Sequence, residues 1–275
     1  MLAPGADLSH NRRMKLDAQA LRRMKSVQQI PMLTAYTTPV ARSLERAGIP
    51  VILVGDTVGM VEMGFDSTRH TTLEHMQYHV GAVRRGAPST HIIGDLPFNS
   101  DGEPHIALQS ARALLEAGAD SVKLEGPKLD VIAHLVANGI DVVGHTGLTP
   151  QTSKDFKQVG RSDQDAQRIF DEAVAIAAAG AFMVVLEHIP APLAERITGA
   201  IAVPTIGIGA GAACDGQVLV INDAAGLGDY WPPFSRQYAY VGRTIVDVAE
   251  AYAREVRDGT FVNNVLRMGA GGKKE

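Results

Sequence analysis

One pattern, used three times, limits what this chain can become. AGIPVILVGD (residues 47–56), AGADSVKLE (117–125) and AGAFMVVLE (179–187) each pass from a helix-ending glycine through a strand signal to a carboxylate. Four large apolar residues, as in VILV, are too few for a helix; between Gly48-Ile49-Pro50 and Gly55 they suit a strand covered on both faces, as in a parallel sheet. HIIGDLP (91–97) adds a fourth strand carrying Asp95, and IDVVGHTG (140–147) adds a fifth that closes on His145. If parallel strands lie side by side, their last residues meet on one rim.

The rest of the chain extends the alternation. LDAQALRRMKSV (16–27) has helical spacing ahead of the first strand and reads as a cap on a barrel bottom. Strand one is PMLTAYT (31–37), followed by the helix PVARSLERAG, the second strand and the loop VEMGFDSTRH. Thr72 suits the N-cap of LEHMQYHVGAVRRG, which Gly86 ends. Strand three leads through LPFNSDGEP to a helix with Leu108, Ala111 and Leu115 inward; SVKLEG, the helix DVIAHLVANG and strand five follow. A polar loop over 152–163, with Lys154, Lys157 and Arg161, reads as a lid or an interface arm. A helix over 164–179, strand six, the short helix PLAERITGA and strands VPTIGIG and QVLVIND complete the series.

Eight strand signals in 275 residues favour an α/β fold of the closed (β/α)8 TIM-barrel kind over an open doubly wound sheet. The turn after strand seven is too brief for a full helix. The expected organisation is a flexible N-terminus over 1–11, one barrel domain over 12–260 with an N-terminal helix and an extra C-terminal helix, and a tail over 261–275.

Net charge excludes one class of partner. A formal charge of −4 and a pI near 6.1 leave no basic surplus to neutralise nucleic-acid phosphates. No apolar run suits a membrane span, the basic N-terminal region lacks a signal-peptide core, and one cysteine, Cys214, fits a reducing compartment, so the expected location is the cytoplasm. Burial is the commoner fate of such a thiol.

The rim residues carry the chemistry. Asp56 and Asp95 are hard oxygen donors at neighbouring strand ends, with Glu125 one strand further, a set suited to Mg²⁺; alone, Asp56 reads equally as a helix N-cap. Lys123, two residues before Glu125 and on the same strand face, is a salt-bridge partner or an anion grip. Glu187, closing the apolar MVVLE, is placed where desolvation would tune a carboxylate into a base. His75 and His79 are four apart on a helix without the carboxylate of HExxH, which favours packing over ligation. GIGAG (207–211) suits either a phosphate cradle or tight packing.

Read together, VGDTVGM, AVRRGAP, DLPF, VKLEG, GHTGLTPQ, LE-x-x-P and PTIGIGAG-x-x-CDGQVLV resemble the ketopantoate hydroxymethyltransferase family from about residue 32 to 223. The resemblance implies a barrel of the phosphoenolpyruvate/pyruvate-binding type, a homodecamer and one Mg²⁺ per subunit. It also implies 5,10-methylenetetrahydrofolate as cosubstrate and small-molecule substrates, with no membrane or nucleic acid involved. Carried onto this sequence, Asp56 and Asp95 would bind the metal and face the oxo acid, with Glu125 in the metal shell. Thr57, Lys123 and His145 would line the substrate, and Glu187 would take its proton.

Four places depart from the family pattern. Thr57 stands for a usual serine, Asp101 for a tyrosine, QVGR (158–161) for VQGR, and Pro233 for a lysine. A paralogue with altered oxo-acid preference, a Mg²⁺-dependent lyase or mutase on a 2-oxo acid or phosphoenolpyruvate, and an inactive scaffold barrel are the alternatives.

Overall fold

Eight short strands pair in parallel in chain order and close on themselves: β1 (Ile30–Thr34), β2 (Val51–Val54), β3 (His91–Asp95), β4 (Ser121–Lys123), β5 (Val142–Gly147), β6 (Met183–Glu187), β7 (Thr205–Ile208) and β8 (Gly216–Leu219). This computed structural model describes residues 15–153, 155–228 and 231–262; the expectations for residues 1–11, Lys154 and the tail from residue 263 lie outside them. The chain divides into two compact units, Met1–Val220 and Ile221–Glu275, and the whole barrel belongs to the first.

Side chains on a strand alternate, so every second residue faces the barrel axis. Val51 and Leu53 of β2, Ile93 of β3, Val143 of β5, Met183 and Val185 of β6, Ile206 of β7 and Val218 of β8 form one buried apolar cluster. At roughly 1.5–3 kcal/mol per fully buried large aliphatic side chain, that cluster is the main support of the fold. Continuing the same alternation upward, Asp95 lies two residues beyond Ile93, His145 two beyond Val143 and Glu187 two beyond Val185. The upper end of the interior is therefore polar where the middle is apolar.

The lower end is closed as the spacing of residues 16–27 suggests. Helix α1 (Ala18–Arg22) is capped by the Asp17 carboxylate, which accepts from Ala20 N, and sends Ala18 and Leu21 into the apolar cluster. It is shorter than the periodicity suggests; in the turns beyond it Arg23 is exposed, whereas the Lys25 side chain is mostly buried.

Outside the strands run α2 (Thr38–Arg46), α3 (Val58–Val61), α4 (Leu73–Gly86), α5 (Pro104–Ala117), α6 (Leu129–Ala137), α7 (Asp163–Ala178) and α8 (Ala191–Ala200). Thr72 caps α4 as its position suggests: its hydroxyl accepts from His75 N, and the His75 ring Nδ1 accepts from Thr72 N. His79 Nδ1 lies 2.7 Å from the Tyr36 carbonyl, so both histidines serve local structure. No helix separates β7 from β8, as the brevity of that turn requires.

Several boundaries differ from those the sequence suggests. Strand eight ends at Leu219, and Ile221–Ala225, partly expected as strand, forms α9 in the second unit. The glycines of GIGAG are answered by turning and packing: Gly209 and Gly211 have φ of +63° and +83°, and a Cβ at Gly211 would sit 2.5 Å from that of Ala191. Cys214 is buried, and burial pushes its thiol up. The second unit's long helix, α10 (Val241–Arg257), matches the extra C-terminal helix. Among the described residues no helix is long and apolar enough to cross a membrane.

Asp215 ties the segment after α1 to the strands. It accepts from Lys25 Nζ, Ser26 N and Thr205 N, each at 2.9 Å. Burial pushes its carboxyl up, but these donors outweigh burial and hold it below the ordinary aspartate value. A depressed folded-state value means stability that is present above the unfolded value near pH 3.9 and lost as pH falls through the folded one. Asp215→Asn should therefore cost about 2 kcal/mol in urea unfolding at pH 7, and the gap should narrow as unfolding is repeated toward pH 3.

Candidate active site

Strand register sets the centre of the site. Asp95 at the end of β3 is opposite Lys123 at the end of β4, and the Lys123 ammonium donates to both oxygens of Asp95 at 2.7 Å. Both groups are buried. Burial works against the ammonium, but Asp95, Glu125 and Asp56 outweigh it and raise its pKa above the ordinary lysine value. Of the two readings of Lys123, the salt bridge is the arrangement seen.

Asp56 follows β2, and its backbone N–H approaches Asp95 Oδ2 at 3.4 Å. It is not a cap: α3 begins after Thr57, which makes no side-chain cap bond, and Asp56 is itself buried. Thr71 Oγ1 donates to the Asp56 carbonyl at 2.8 Å, fixing the turn. Gly59 makes that turn possible, since a Cβ there would lie 2.3 Å from Thr71 Oγ1. Burial first, then the Asp95 charge, push the Asp56 carboxyl up to about 7, with Lys123 and Gln151 opposing. Thr57, half-buried, stands beside it.

Glu125 lies just beyond β4 and is buried; burial raises its carboxyl well above the usual range, the Lys123 charge opposes, and Asp56 and Asp95 add to the rise. His145, fully interior, separates two carboxylates: Nδ1 is 3.6 Å from Glu125 Oε1 and Nε2 is 3.2 Å from Glu187 Oε2. Neither ring nitrogen makes a well-aligned hydrogen bond.

The apolar run of β6 suggests a desolvated Glu187; 16% of the side chain is exposed, because the apolar residues lie below it and it is the strand's last residue, and its neighbour is His145.

Gln151 was not singled out by sequence, although it ends GHTGLTPQ. Buried, it donates to Asp56, to Glu125 and to the Leu96 carbonyl. A glutamine without charge or motif spacing gives no chemical signal; only the fold brings it here. Asp101, one of the unusual positions, is buried with Lys128 Nζ 2.6 Å away, and burial pushes its carboxyl up.

The donor set suits a hard cation. Asp56, Asp95 and Glu125 are buried with one buried ammonium, Lys123, so full ionisation leaves two negative charges uncompensated. Among the described residues no three His, Cys, Asp or Glu side chains converge as a complete metal shell. Mg²⁺ needs no such shell, since it is commonly held by one or two carboxylates with water and substrate oxygens.

Comparison with known proteins adds the following. Residues 15–264 match the family model described as ketopantoate hydroxymethyltransferase. The 3-methyl-2-oxobutanoate hydroxymethyltransferase of Syntrophus aciditrophicus (strain SB) is 46% identical over 256 residues, covering 90% of this chain and 94% of that protein. Among solved structures, 2,3-dimethylmalate lyase, a PEP mutase/isocitrate lyase superfamily member, aligns with a TM-score of 0.58 at 17% identity over 88% of each chain. Phosphonopyruvate hydrolase in complex with oxalate and Mg²⁺ aligns with a TM-score of 0.61 at 15% identity, over 90% of this chain and 88% of that one. These two likenesses bear on the fold.

The Lys123–Asp95 pair makes a direct test of the electrostatics. Lys123→Met removes the buried cation and leaves three carboxylates facing one another; unfolding in urea at pH 7 should show a loss of about 3 kcal/mol or more. An unchanged midpoint would contradict the assignment.

Proposed function

The chain belongs to the ketopantoate hydroxymethyltransferase family of one-carbon transferases, and from that premise we propose that it transfers a hydroxymethyl group from 5,10-methylenetetrahydrofolate to 3-methyl-2-oxobutanoate, giving 2-dehydropantoate in the pantothenate route. The observation that carries this reading is the surplus of buried carboxylates at one end of the barrel, with a partly exposed carboxylate, Glu187, across His145 from it.

Asp56 and Asp95 would hold Mg²⁺, with Glu125 in the metal shell. When bound, the ion supplies Lewis-acid polarisation of the oxo acid, which makes its C3 hydrogen more acidic. Lys123 and the Thr57 hydroxyl bind the substrate's oxygens, and His145 lines the pocket beside it. Glu187 takes the C3 proton, and the electron pair stays with the oxo acid as an enolate. Water breaks the two C–N bonds of the folate's methylene bridge, releasing tetrahydrofolate and a one-carbon unit at the formaldehyde level; C3 bonds to that carbon, and the proton held by Glu187 passes to the new alkoxide, giving the hydroxymethyl group. His145 Nε2 lies 3.2 Å from Glu187 Oε2, within reach of that carboxylate.

A lyase or mutase acting on a 2-oxo acid or phosphoenolpyruvate is the second reading, favoured by the shared barrel of the solved neighbours. The 46% identity to a named hydroxymethyltransferase, against 17% or less to the neighbours, favours the transferase. Purified protein with Mg²⁺, 3-methyl-2-oxobutanoate and methylenetetrahydrofolate should form 2-dehydropantoate. Glu187→Gln should slow deuterium exchange at C3 about 10²-fold or more while leaving the protein folded. Exchange at the parent rate would remove Glu187 from its role, and lyase or mutase products without 2-dehydropantoate would favour the second reading.

We further propose a cytoplasmic homo-oligomer, with the decamer as the size the family resemblance implies. Support comes from α10, where Ile245, Val248, Tyr252 and Val256 follow helical spacing along one face and are each 49–63% exposed in the single chain. Light scattering should give several times 29.2 kDa. Ile245→Glu with Val248→Glu should lower that mass; a monomeric parent would contradict the proposal.

A further inference from the structure

Gln151 touches three walls of the site at once. Its side-chain amide donates to Asp56 Oδ2 at 2.9 Å and to the Leu96 carbonyl at 3.0 Å, and its backbone N–H donates to Glu125 Oε2 at 3.0 Å. Asp56 follows β2, Leu96 follows β3 and Glu125 follows β4, whereas Gln151 belongs to the connection after β5. Only 1% of the residue is exposed, so water does not replace these donors readily.

An amide has two N–H donors, and both are used here, one on a carboxylate and one on the backbone. The amide plane is thereby fixed, and one oxygen each of Asp56 and Glu125 is committed to the same residue. Residue type matters for the charge. A lysine in this place would compensate the carboxylates and compete with a cation, and a glutamate would add a further negative charge to a pocket that already carries a surplus. A glutamine supplies donors and leaves the net charge unchanged.

We propose that Gln151 is a positioning residue for the reaction, its side-chain amide holding Asp56 at the orientation in which that carboxylate faces the divalent cation and the oxo acid. This rests on the reading of the site given under Proposed function. Partners that orient ligating carboxylates are typically worth 10–100-fold in metal affinity or activity. A crosslink that only fastened the connection after β5 would change stability and leave affinity alone.

Calorimetric titration of Mg²⁺ into the full-length chain, into Gln151→Met and into Gln151→Asn separates these roles, with circular dichroism and melting temperature recorded on each. NMR of C3 deuterium exchange at saturating Mg²⁺ gives a second readout. Gln151→Met should bind Mg²⁺ about tenfold more weakly and exchange about tenfold more slowly while keeping its fold. Gln151→Asn, one methylene short of spanning to Asp56, should change in the same direction, and it carries the measurement if Gln151→Met does not fold. Mg²⁺ affinity and exchange within twofold of the parent in both variants would overturn the proposal, whatever happens to the melting temperature. A parent chain with neither Mg²⁺ binding nor exchange would overturn the reading of the site, and the positioning role with it.

Discussion

The buried pair of Lys123 and Asp95 is the contact on which the upper end of the barrel depends. Removing an ion from water costs several kcal/mol even after the protein relaxes, and this pocket buries four ionisable groups together. One ammonium on both oxygens of one aspartate offsets part of that cost, and Gln151 offsets a little more by donating to Asp56 and Glu125. The remainder appears as raised carboxyl values at Asp56 and Glu125. A surplus of this kind stabilises nothing by itself. It is intelligible as a site whose charge is completed by a cation and an anionic substrate, and it is carried by the apolar layer beneath it.

The barrel makes such a pocket possible because it separates the two tasks along one axis. Residues two apart on a strand share a face, so a single strand supplies Ile93 to the core and Asp95 to the site, or Val185 to the core and Glu187 to the rim. The helix at the lower end and the Asp215 contacts close the bottom of the barrel, far along the strands from the chemistry. At the top, His145 keeps Glu125 and Glu187 apart. Two carboxylates with different exposure can then serve different purposes, one buried in the charged cluster and one partly exposed at the rim.

Much of this was legible in the sequence, for physical reasons. The repeated passage from glycine through a buried strand to an acid identified β2, β4 and β6, and parallel pairing then required their ends to meet. Strand bounds were harder, because LPF after Asp95 and VIND after Leu219 are as apolar or as strand-like as the strands they follow, and only hydrogen-bond partners decide where pairing stops. The exposure of Glu187 was not legible, because the residues before it report the layer below, not the rim. Lys123 allowed two readings, and only the register with Asp95 brings the salt bridge into view, the substrate contact being a proposal. Gln151 was silent, since an uncharged amide on a loop acquires meaning only from the carboxylates that tertiary structure brings to it. The glycines of GIGAG suited a phosphate cradle on paper, whereas Ala191 shows packing to be the reason for Gly211.

The central claim is that the surplus negative charge at the strand ends is the seat of a divalent cation and its oxo-acid partner. Anomalous diffraction from crystals grown with Mn²⁺ and 3-methyl-2-oxobutanoate tests it most directly. The account predicts an anomalous peak within coordinating distance of Asp56 and Asp95, with the Lys123 ammonium turned onto the substrate carboxylate. Density for the oxo acid without a metal peak there, and Lys123 still on both oxygens of Asp95, would contradict it.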